Sequence, residues 1–169
     1  DVGGQAQYND GSICHADFGS KVAYKFLKDM GFDERFAAHA KSCIATHRFR
    51  SDNPPSSIEA KILFDADKLD ATGAMGIART LLYQGHVSST LYSIDENKKV
   101  LDGGDDKKPS FMKEYCFKLK RLYEGFHTVR GNELAKQRQS IAVAFYEKLL
   151  SEAKFARDEG LERLNCLLD

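Results

Sequence analysis

The chain has no net charge, since Lys and Arg total 25 and so do Asp and Glu. Such a balance argues against bulk nucleic acid or an anionic membrane as the main partner, although a small phosphorylated ligand needs only a few local cations. No C-x-x-C pair occurs, because Cys14, Cys43, Cys116 and Cys166 stand far apart. A zinc ribbon and a disulfide framework are therefore not expected, and reduced thiols are. No apolar run approaches the length of a membrane span, and no basic-then-apolar signal pattern opens the chain. These features together predict a cytoplasmic protein. Internal repeats and low-complexity tracts are missing too, and nothing alternates at period two for long; 87–92 is the one short strand candidate.

What is present is helical spacing. The 169 residues, 42% hydrophobic and 30% charged, suffice for one domain with a sizeable core. Residues 1–14, rich in Gly, Asn and Asp, read as loop. From His15 the apolar positions Phe18, Gly19, Val22, Ala23, Phe26 and Met30 fall on one helical face, and Gly31 marks a stop. Asp33 reads as the N-cap of a second helix carrying Phe36, Ala40, Cys43, Ile44 and His47 on one face. After a polar loop, Ser56 and Glu59 have capping-box spacing at the start of a third helix. That helix is apolar nearly all round and is expected to be buried. A short helix over 73–83, a loop over 84–109, and helices over 110–124 and 129–157 complete an all-α chain.

Three ionisable residues take positions where the pattern expects apolar ones. His15 opens the first helix, His47 closes the second, and Asp67 lies within the third. Asp65 has Lys61 and Lys68 at helical spacing and can pair with them. Asp67 has no cation three or four residues away, and a buried carboxylate without a partner costs several kcal/mol or is forced neutral. A bound cation removes that cost, so Asp67 is the acid assigned to a metal. A core histidine bonded to a carbonyl, or an aspartate capping a neighbouring helix, is the ordinary alternative for each residue taken singly.

The stretch ILFDADKLDATGAMGIAR over 62–79 resembles the D-A-D-x-L-[DE]-x-x-G-A-x-G-x-A-R block of bacterial stand-alone HD-domain hydrolases. Ile44-Ala-Thr-His47 is similar to the I-x-x-H of that family. The S-x-E-A-K stretch over 57–61 fits the family as well, 130–138 resembles its C-terminal helix, and the loop over 84–108 is the least similar part. The resemblance implies an HD-domain bundle of about six or more helices, one domain over 1–169 with residues 110–169 packing on its core. It implies a metal-dependent phosphohydrolase. Asp1, opening Asp1-Val2-Gly3, resembles the Asp of the family's His-Asp pair, and Asp67 its final Asp. The early-helix His and the His of the pair have no counterpart, so the expectation is of a native chain that extends further at its N-terminus. His15 and His47 fit the further histidines of two-metal members.

The resemblance thus implies Asp1, Asp67, His15 and His47 as ligands to one or two ions of Mn, Fe, Ni, Zn or Mg. His47, Asp67 and Lys68 form the expected catalytic group, and Arg48 and Arg50 the expected phosphate holders. Arg79 matches the block as well. The implied substrate is a nucleotide, and a homodimer is a possible assembly. A di-iron oxygenase and a non-catalytic nucleotide-binding module are the rival readings.

Overall fold

The computed structural model describes residues 2–48 and 52–168. Two compact units are distinguished: residues up to Lys68 together with His127–Gly131, and Leu69–Phe126 together with residues from Asn132 on. The class is all-α. Among the described residues β pairing is limited to two isolated bridges, Thr90 with Ser110 and Ile94 with Val100. Thr90 lies in the expected strand over 87–92, and no strand forms there.

In the first unit, α1 (Gly4–Asn9) occupies the segment expected to be loop. Helix α2 (His15–Asp29) follows, and α3 (Glu34–Ala45) packs against it. The stop between them is a Schellman turn: Gly31 takes φ +85°, Phe32 N–H donates to the Leu27 carbonyl and Gly31 N–H to that of Lys28. Asp33 caps α3 by accepting from Phe36 N–H at 2.9 Å. Helix α4 (Ile58–Leu69) is capped by Ser57 rather than Ser56, with Ala60 N–H donating to the Ser57 hydroxyl at 3.1 Å.

The buried faces differ from those the apolar pattern predicts. Ala16, Gly19 and Ser20 of α2 face inward with Ala37 and Cys43 of α3, whereas Phe18, Val22, Phe26, Met30 and Phe36 are exposed. Those large apolar residues are thus left exposed while small ones are enclosed. Helix α4 is not buried all round either: Ala60, Phe64, Asp65 and Lys68 turn inward, while Ile58, Ile62 and Leu63 are exposed.

The second unit begins with α5 (Gly73–His86), a helical turn longer at its end than expected. Then come α6 (Phe111–Glu114), a π-helical turn (Tyr115–Leu119), α7 (Lys120–Leu122), α8 (Val129–Lys154), a second π-helical turn (Phe155–Glu159) and α9 (Gly160–Leu168). Ser110 caps α6 by accepting from Lys113 N–H. Phe111, Met112, Leu119 and Leu122 are fully enclosed, with Phe145 set edge-on to Phe111 at 5.8 Å. Tyr123 accepts Gly73 N–H on its hydroxyl at 2.9 Å, tying α5 to the α7 end.

Candidate functional site

Two histidines from different elements meet in the first unit. His15 is the first residue of α2, and His47 follows Thr46 at the C-terminal end of α3. Their rings stand 5.1 Å apart at 63°, edge to face. The His47 Nδ1 lies 2.5 Å from the Ile44 carbonyl oxygen. A carbonyl oxygen only accepts, so Nδ1 carries the proton and, in the neutral ring, the lone pair is on Nε2.

Charges of both signs surround the pair. Burial holds the His15 pKa below its ordinary 6.5, and the positive charges of His47 and Arg48 act in the same direction, while Asp67 opposes them. Arg48 donates to Cys14 Sγ at 3.2 Å. Cys14 is the N-cap of α2. Its thiol pKa is lowered first by the Asp17 backbone N–H and, against the effect of burial, further by Arg48. Helix α4 contributes Asp67 and Lys68. The Lys68 ammonium pairs with the Asp67 carboxylate and lies 5.3 Å from the centre of the Phe64 ring. The lysine side chain is 11% exposed and that of Asp67 49%.

His47, Arg48, Asp67 and Lys68 are thus all within electrostatic reach of His15. Asp1 and Arg50 lie outside the described residues. Asp67 is not the enclosed, unpartnered acid that helical spacing suggests: it is half exposed and its cation is its own chain neighbour, outside the i±3 and i±4 positions. The enclosed acid is Asp65, 3% exposed. It pairs with neither Lys61 nor Lys68. It accepts from His127 N–H (2.9 Å), Thr128 N–H (2.8 Å) and the Thr128 hydroxyl (2.6 Å). Thr128 in turn accepts Gly131 N–H in the first turn of α8. Capping a neighbouring helix accounts for the buried carboxylate without any cation.

Arg79 belongs to the second unit and binds Asp70 at 2.5 Å on an exposed surface. Among the remaining histidines, His39 sits beside Glu59 and the His127 ring packs on Phe64.

The donor chemistry, two imidazole nitrogens and a nearby carboxylate, suits a divalent transition-metal ion. Among the described residues no group of three or more His, Cys, Asp or Glu is close enough to hold one. Sequence reasoning missed Gln7, whose side-chain oxygen touches both the backbone and the ring of His15. The residues around Gln7 read as loop, so nothing in the sequence pointed to it.

No family model matches the chain. It is 36% identical over 95 residues to YpgQ, an uncharacterized protein of Bacillus subtilis, covering 56% of this chain and 40% of that protein. The crystal structure of YpgQ in complex with ADP superposes with a TM-score of 0.60 at 28% identity, over 79% of this chain and 63% of that one. An HD-superfamily hydrolase from Bacillus thuringiensis gives 0.57 at 30% identity, over 79% and 62%. A predicted HD superfamily hydrolase from an uncultured Thermotogales bacterium gives 0.51 at 29%, over 87% and 59%. This chain therefore spans less than two thirds of the length of each of these relatives.

Proposed function

The chain is an HD-domain protein, and from that premise we propose that it is a metal-dependent hydrolase of a phosphate ester or anhydride, with a nucleotide as substrate. The observation that carries the reading is the meeting of His15 and His47 at 5.1 Å within reach of Asp67, Lys68 and Arg48. Two of the similar structures are described as HD-superfamily hydrolases, and YpgQ was crystallised with ADP, which supports the nucleotide.

In this reading His15, His47 and Asp67 hold a divalent ion of Mn, Fe, Ni, Zn or Mg together with Asp1, a residue outside the described ones. Such an ion lowers the pKa of bound water and offsets charge on phosphoryl oxygens. The chain's own residues supply the rest. The Ile44 carbonyl anchors the His47 ring, and Lys68 holds the Asp67 carboxylate in place while adding a cation at the site. Arg48, with Arg50 outside the described residues, takes phosphate oxygens, for which the planar guanidinium fork is suited.

The test pairs elemental mass spectrometry with phosphate release from a nucleotide panel, for wild type and Asp67→Asn. Near-stoichiometric metal and turnover that both fall sharply in the variant support the proposal. Nucleotide binding without turnover would put a binding module in its place, and oxygen consumption by a di-iron form would put an oxygenase there.

A further inference from the structure

Helix α1 reaches α2 at His15. A Cβ on Gly3 would lie 2.1 Å from the His15 carbonyl oxygen, so only glycine lets the chain pass there. Further along α1, Gln7 meets His15 twice through one atom. Its Oε1 accepts the His15 backbone N–H at 3.2 Å and also contacts ring Nδ1. A backbone N–H can only donate, which identifies the atom as the amide oxygen and not the amide nitrogen. That oxygen can only accept, so the proton of the second contact belongs to Nδ1.

We propose that Gln7 is a positioning residue, whose side-chain carbonyl holds His15 in the Nδ1–H tautomer so that Nε2 carries the lone pair. Gln7 does for His15 with a side chain what the Ile44 carbonyl does for His47 with the backbone. Both neutral rings are then electron-pair donors at Nε2, fit to ligate a metal ion or accept a proton from water. Neither is a neutral N–H donor toward a phosphate oxygen at that atom. Resting on the hydrolase reading, this makes the pair metal or water ligands and leaves phosphate to the arginines. An acceptor on the distal nitrogen of a ligating histidine fixes ring orientation and raises basicity, and its loss costs about 10–100-fold in affinity or activity.

The test is a long-range proton–nitrogen correlation spectrum of the metal-free, nitrogen-15-labelled chain at about pH 8, where histidine is neutral. His15 is assigned by its loss in His15→Asn. Wild type and Gln7→Glu are expected to show His15 protonated at Nδ1. Gln7→Leu moves the proton toward Nε2 and leaves His47 unchanged. Gln7→Met, which keeps the side-chain length, gives the same answer should leucine unfold the chain. An Nε2–H tautomer in wild type, or no change in Gln7→Leu and Gln7→Met, overturns the proposal. In the same variants Mn affinity and kcat/KM should fall about 10–100-fold and recover in Gln7→Glu. A tautomer that moves while Mn affinity and kcat/KM stay unchanged overturns the positioning role, and a tautomer that moves in a chain showing neither Mn binding nor turnover removes the hydrolase reading instead.

Discussion

Asp65 and Asp67 lie two residues apart and have opposite roles. Asp65 is enclosed and accepts three hydrogen bonds at the start of α8. Removing it leaves buried donors unsatisfied, so Asp65→Ala should cost about 2–4 kcal/mol in a denaturant titration. Asp67 is half exposed against Lys68, and Asp67→Asn should change stability by less than about 1 kcal/mol while removing metal-dependent turnover. Equal destabilisation by both would contradict this division. His15 adds a pH signature. Its folded pKa lies below 6.5 because burial and neighbouring cations oppose the charged form. The unfolded chain therefore binds the proton first as pH falls. The contribution of His15 to stability is complete above 6.5 and is lost as pH drops below that value. The unfolding midpoint should decline as pH falls below about 6.5, and decline less in His15→Gln.

At the scale of the element, α2 and α3 test periodicity against packing. The buried face of α2 carries Ala16, Gly19 and Ser20 rather than its large apolar residues, and α3, packed against it, buries Ala37. Ala37 is fully enclosed, so Ala37→Leu should overpack the contact and cost about 1–3 kcal/mol. Phe26 is 61% exposed, and Phe26→Ser should change the stability of this chain by no more than about 0.5 kcal/mol. Urea midpoints of the two variants settle the order. The pattern in the sequence predicts the reverse, because it ranks Phe26 as core and does not include Ala37. Capping was more legible. Asp33 does what its position suggests, and the α4 cap is displaced by one residue, to Ser57. A cap is read from local residues, whereas a buried face depends on which neighbour arrives.

At the scale of the whole molecule, the proposed metal site is tested by adding and removing the ion. Saturating Mn at about 100 times its Kd should raise the stability of wild type by about 2.7 kcal/mol, read as a higher Tm, and chelation should reverse the gain. Asp67→Asn should show little of either. Equal shifts in both proteins would place the ion elsewhere. The sequence by itself determined the all-α class, most helix limits and caps, and the candidates His15, His47, Arg48, Asp67 and Lys68, because these follow from spacing, local hydrogen bonding and a motif. Only the tertiary structure decided that Asp65 is the buried acid and Asp67 the exposed one, that His15 and His47 touch, and that Gln7 holds His15. The first two depend on segments far apart in the chain coming together, the carboxylate of Asp65 acquiring its partners from residues more than sixty positions away, and the third on the turn that folds α1 back onto the start of α2.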